Sequence, residues 1–210
     1  MDFALKVTPV LLTFCNSRTP ETMNQKRILV YGDSNSWGFV PCGPNQATTR
    51  YDTSTRWPAV MACHLGDSVE LVEEALSGRT TDLDDFEIDL PSVHLKGATL
   101  NGAKLLPAIL SSHLPLDLVI IMLGTNDLKT RFNRSPQQIA TAVVGLARLV
   151  DQCKGGVNTV YPAPKVLLVT PPPLGTGFHN HEEWARQMTS DARQPTRLWG
   201  RLGYGARLAS

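Results

Sequence analysis

Four short apolar runs separated by longer mixed stretches set the pattern of this chain. They are Arg27-Ile28-Leu29-Val30-Tyr31, Val69 to Val72, Asp117-Leu118-Val119-Ile120-Ile121-Met122-Leu123, and Lys165 to Thr170. Runs of four to seven residues rich in Val, Ile and Leu read as strands. The third, apolar at every position from 118 to 123, reads as a central parallel strand covered on both faces. Between them the period changes to that of a helix. Pro58 suits a first helical turn, and Ala59 to Leu65 then runs to a stop at Gly66. Ser135-Pro136-Gln137-Gln138 has the form of a capping box, and Ile139, Val143, Leu146 and Val150 follow on one stripe before Gly155. Alternating strand and helix predicts an α/β fold with right-handed crossovers, a flavodoxin-like three-layer α/β/α arrangement around a parallel sheet.

Each predicted strand exits into a loop suited to polar chemistry. The first delivers Gly32-Asp33-Ser34-Asn35, the second Ala75-Leu76-Ser77-Gly78-Arg79-Thr80-Thr81, and the third Gly124-Thr125-Asn126-Asp127. In open parallel sheets the ligand crevice lies beyond the carboxyl ends of the strands, so Ser34 is a candidate nucleophile. Asp33, Ser34 and Asn35 are equally good helix-capping residues, Gly78 and Gly124 suit ordinary turns, and Asn126 suits a local Asx-turn. From the residues alone both readings stand.

Taken together, these segments resemble the SGNH, or GDSL-type, hydrolases, and among them the small bacterial arylesterases and acyltransferases. Gly32-Asp33-Ser34-Asn35 is similar to the first block of that family, Gly78 to the second, and Gly124-Thr125-Asn126-Asp127 to the third. Trp37-Gly38, Arg56-Trp57, Leu114-Pro115-Leu116-Asp117 and Tyr161-Pro162-Ala163-Pro164-Lys165-Val166 extend the similarity over residues 26 to 178. The resemblance implies a serine ester hydrolase or acyltransferase acting on a small acyl or aryl ester, without a cofactor. Ser34 would be the nucleophile. Its N–H, the N–H of Gly78 and the side-chain amide of Asn126 would form the oxyanion hole, with Gly32, Asp33, Gly124 and Asp127 in support. Homo-oligomer formation is implied by resemblance alone.

One block of that family is missing from the pattern. Its histidine comes from an Asp-x-x-His after a fifth strand, and no Asp-x-x-His follows residue 178 here. From Asp191 onward there is neither valine nor isoleucine, and the Arg- and Gly-rich tail has no helix or strand period. The expected division is therefore an N-terminal extension over 1–22, with Met23 as the natural start, a hydrolase-like domain over 23–190, and an atypical tail over 191–210 that is expected to have left the family's reading frame, by a frameshift or by an error in the gene model. On this reading the sheet lacks its last strand and leaves an apolar edge unpaired. His179 and His181 read as solvated loop residues. A catalytically inactive relative, serving as a binding or oligomer-forming module, is the alternative.

Composition narrows the class further. With 42% hydrophobic and 19% charged residues, 210 residues suffice for one core. A net charge of +1 and a pI near 7.7 give no reason to expect nucleic acid or an anionic membrane as partner. No run is long enough to span a membrane; the apolar Val7 to Cys15 is short and broken by Pro9. Cys15, Cys42, Cys63 and Cys153 show no Cys-x-x-Cys pairing, which fits reduced thiols in a cytoplasmic protein. Asp82 to Asp89 reads as a solvated acidic loop, and His179-Asn180-His181 is too sparse for a metal site. His64 is expected to end a helix, and His94 and His113 to sit in polar connections. Trp37, Phe132 and Phe178 are candidates for an acyl pocket or for the core. A nucleotide-binding protein is the weakest reading, because neither Gly-x-Gly-x-x-Gly nor Gly-x-x-x-x-Gly-Lys-Ser/Thr occurs.

Overall fold

The computed structural model describes residues 25–43, 46–91 and 94–172. Four parallel strands form the main sheet in the order β2-β1-β5-β6: β1 Lys26–Gly32, β2 Val69–Ala75, β5 Leu118–Met122 and β6 Lys165–Leu168. Gly32 is in register with Ala75 on one side and Met122 on the other, so the three strands end level with one another. A separate antiparallel pair, β3 Asp89–Leu90 and β4 Leu95–Lys96, stands in the long connection after β2.

The period-two pattern explains how the central strands bury both faces. On one face Leu29, Tyr31, Val119 and Ile121 pack against Leu106 and Leu110 of α3 (Gly102–His113) and Ile139, Val143 and Leu146 of α4 (Pro136–Asp151). On the other, Ile28, Val30 and Ile120 meet Trp57 and Met61 of α2 (Trp57–Leu65). The capping box at α4 forms as expected: the Ser135 hydroxyl accepts from Gln138 N–H at 3.3 Å, and the Gln138 side chain accepts from Ser135 N–H at 2.7 Å.

Three sequence expectations are corrected. β2 continues past Val72 to Ala75 because Glu73 and Glu74 find tertiary partners: Arg50 and Arg56 for Glu73, His113 for Glu74. β6 ends at Leu168 rather than Thr170. The helix α3 was unmarked in the pattern, since Pro107 falls within it, and it places His113 in its last turn rather than in a polar connection. Among the described residues no helix is long and apolar enough to cross a membrane. The expectations for residues 1–22, for 191–210, and for His179, His181 and Phe178 lie outside the described residues.

Candidate active site

The turn from β1 into α1 (Ser34–Trp37) is shaped by three neighbouring residues. A side chain at position 32 would overlap Ser36, so only glycine lets the strand end so close to the next helix. Asp33 is the N-cap, its Oδ1 accepting from Asn35 N–H at 2.9 Å. Gly38, with φ +86°, ends the helix after one turn. Ser34 therefore occupies the first helical position, where the backbone N–H has no partner within the helix. Its half-buried hydroxyl meets no hydrogen-bond partner among the described residues. The capping reading of this tetrapeptide is thus realised by Asp33, and Ser34 is left at the first helical position.

Asp33 itself is fully buried, with Oδ2 unpaired among the described residues. Burial pushes its pKa up to about 6, opposed by hydrogen bonds from Asn35 and reinforced by the charge of Asp127. Because the folded value lies above the ordinary 3.8, the fold favours the protonated form. The stability contributed by this group is complete below the unfolded value and is lost as pH rises through about 6. Asp33→Asn keeps an acceptor for the cap. It is expected to flatten the melting temperature as a function of pH over that window, and an unchanged slope would assign the dependence to other groups.

The second loop enters the site through Gly78, whose φ of +86° is a left-handed conformation that favours glycine. Leu76 N–H donates to Gly32 O at 3.1 Å, tying this loop to the end of β1. Arg79, 3% exposed, stacks its guanidinium 4.1 Å above the Tyr31 ring.

The third loop follows β5. Asn126 opens a 3₁₀ turn over Asn126–Leu128, and its Nδ2 donates to Arg79 O at 3.0 Å. The amide is thus committed to a distant loop and not to a local Asx-turn. One Nδ2 hydrogen is used in that bond, and the second has no partner among the described residues. Asp127 is fully buried, accepting from Thr81 N–H and from the Thr81 hydroxyl. Burial pushes its carboxyl up, against the pull of Thr81 and of Arg134. Asn35 Nδ2 donates to Thr125 Oγ1 at 3.1 Å, joining the first loop to the third.

Ser34, Gly78 and Asn126 line one cleft of about 450 Å³. Phe39 and Ile88 supply apolar wall, and Glu87, Lys129 and Arg131 supply charge. Trp37 and Phe132 are not lining residues; each ring lies 5.3 Å from an arginine, Arg50 and Arg131 respectively. The expectation of a solvated acidic loop fails at Asp85. This carboxylate is completely buried and binds Lys129 at 3.1 Å and Arg131 at 2.6 Å. Phe39, Ile88, Lys129 and Arg131 carried no local signal in the sequence, because their roles depend on contacts across the fold. Among the described residues no group of three or more His, Cys, Asp or Glu could hold a metal ion, and none of His64, His94 and His113 lines the cleft.

Residues 30–209 match the GDSL-like lipase/acylhydrolase family. Among solved structures, a carbohydrate acetylesterase from Sinorhizobium meliloti is 43% identical over 85% of this chain and 80% of its own, with a TM-score of 0.71. The native aryl esterase of M. smegmatis is 44% identical over 85% and 81%, with a TM-score of 0.66. A second Sinorhizobium meliloti carbohydrate acetylesterase family member is 31% identical over 85% and 78%, with a TM-score of 0.67. No curated protein sequence matches the chain.

Proposed function

The chain belongs to the GDSL-like lipase/acylhydrolase family, whose solved relatives are esterases, and from that premise we propose that it cleaves small acyl esters through Ser34. The observation that carries this reading is the meeting of Ser34, Gly78 and Asn126, from three separate loops, in one cleft. A hydroxyl needs help to attack an ester at neutral pH, both from a base and from donors that hold the developing charge. Ser34 Oγ attacks the carbonyl carbon while a general base, which no described histidine of the cleft supplies, takes its proton and returns it to the leaving alcohol. The carbonyl oxygen becomes the oxyanion, facing the N–H groups of Ser34 and Gly78 and the second Nδ2 hydrogen of Asn126. Collapse expels the alcohol, and water then releases the acid from the acyl-enzyme. Phe39 and Ile88 favour an apolar substituent, consistent with the acetyl and aryl groups in the names of the relatives.

The second reading, a binding module that keeps the cleft without turnover, is favoured by one observation: no described histidine lines it. Trapping separates the two. With a p-nitrophenyl alkylphosphonate, Ser34 Oγ bonds phosphorus as the P–O(aryl) bond breaks. The expected result is one equivalent of p-nitrophenol and the added mass on the peptide carrying Ser34. Binding of the phosphonate without release or adduct would support the inactive module instead.

A further inference from the structure

We propose that Arg79 is the positioning residue of the oxyanion hole, an assignment that rests on the reading of Ser34 as nucleophile. Arg79 does not line the cleft, yet it touches each of the three loops that form it. Its backbone N–H donates to Leu76 O at 3.1 Å, closing the turn that contains Gly78. Its Nη1 donates at 3.0 Å to Gly32 O, two residues before Ser34, and also to Glu74 O near the end of β2. Its own carbonyl accepts the Asn126 Nδ2 hydrogen at 3.0 Å, which decides which way that amide faces.

The side chain is held for geometry and not for an ion pair. At 3% exposure its guanidinium forms no salt bridge with any described carboxylate, and burial pulls its pKa down against the nearby Tyr31, Glu74 and Asp33. Its contacts are instead two strand-end carbonyls and the Tyr31 face, 4.1 Å from the guanidinium carbon. Tyr31 is itself fixed, donating its hydroxyl to Gly102 O at 2.7 Å. Both carbonyl bonds come from Nη1, so what a lysine ammonium on a flexible stem cannot reproduce is the planar group stacked on the Tyr31 ring that fixes where that nitrogen sits. The side chain ties residue 79 to Gly32, which leads into Ser34, and the backbone carbonyl of the same residue orients Asn126. The side chain thereby sets where that carbonyl, and with it the donors, stands relative to the nucleophile.

A displacement of about 1 Å in such a site can cost about 10²-fold in rate. Arg79→Lys is therefore expected to lower kcat for p-nitrophenyl acetate by about 10²-fold while KM stays within about threefold, as for an interaction realised in the transition state. Added guanidinium is expected to restore part of the kcat of Arg79→Ala. In crystal structures of the parent and Arg79→Lys, Gly78 N and Asn126 Nδ2 are expected to move relative to Ser34 Oγ while β1 and β5 superpose. A kcat within about threefold of the parent, with both donors in place, would overturn the assignment. A loss of rate that only tracks a falling folded fraction, with no guanidinium rescue, would also overturn it. Should the parent show no turnover dependent on Ser34, the nucleophile reading fails for this chain. The donor positions in the Arg79→Lys crystal then still decide the role of Arg79.

Discussion

Asn126→Ala is expected to lower kcat for p-nitrophenyl acetate by about 10² to 10³, and Ser34→Ala to leave only the rate of buffer. The two losses have different origins. Without the Ser34 hydroxyl there is no acyl-enzyme, so no enzymatic route remains. Without the Asn126 amide the nucleophile is intact and two backbone donors persist, so a measurable residue of activity is left. A donor that acts chiefly on the oxyanion lowers kcat and kcat/KM together and leaves KM near its parent value. The same substitution strips Arg79 O of the bond it accepts at 3.0 Å, an unsatisfied buried carbonyl that costs about 1 to 3 kcal/mol of stability. Rates are therefore to be taken well below the melting temperature of the variant. A kcat for Asn126→Ala equal to that of the parent would remove Asn126 from the oxyanion hole.

Much of this site was legible because its parts are local. The strand run before Gly32, the capping residues at 33 and 135, and the glycines at 78 and 124 each state a backbone requirement within a few positions. What those residues do for one another was not legible. Asn126 could have closed a turn on its own backbone, and only the folded chain sets Arg79 O in front of it. β2 read short because two glutamates end it, and their partners come from Arg50, Arg56 and His113. α3 was hidden by Pro107, yet Asn101 caps it by accepting from Lys104 N–H, and its first residue abuts the Thr80 and Thr81 carbonyls so closely that only glycine fits. The acidic stretch around Asp85 misled for the same reason. Charge alone predicts solvation, and what reverses it is a pair of cations more than forty positions further along the chain.

That buried pair of cations makes Asp85→Asn the substitution with the largest expected cost in stability. The carboxylate accepts from Lys129 Nζ at 3.1 Å, and from Arg131 Nε at 2.9 Å and Nη2 at 2.6 Å. Burial pushes the Asp85 carboxyl up, but these two partners outweigh it and hold it below the ordinary range. Its contribution is therefore present above the unfolded carboxyl value near 3.8 and lost on acidification through the lower folded one. Removing the negative charge leaves Lys129, 7% exposed, as an uncompensated buried cation, which typically costs about 3 to 5 kcal/mol. For a chain of this size that corresponds to a fall in melting temperature on the order of 10 °C. The cleft is coupled to the same pin. Asp85 N–H donates to Gly97 O at 3.2 Å and Gly97 N–H to Ile88 O at 2.8 Å, so the segment that supplies Glu87 and Ile88 to the cleft is anchored where Asp85 is. Asp85→Asn is expected to raise KM for p-nitrophenyl acetate as well as to lower the melting temperature. Combining Asp85→Leu with Lys129→Met and Arg131→Met is expected to recover stability, since breaking a buried ion pair costs more than replacing all of it with apolar groups. Equal melting temperatures for the parent and Asp85→Asn above pH 6 would show that the cluster does not pin the segment.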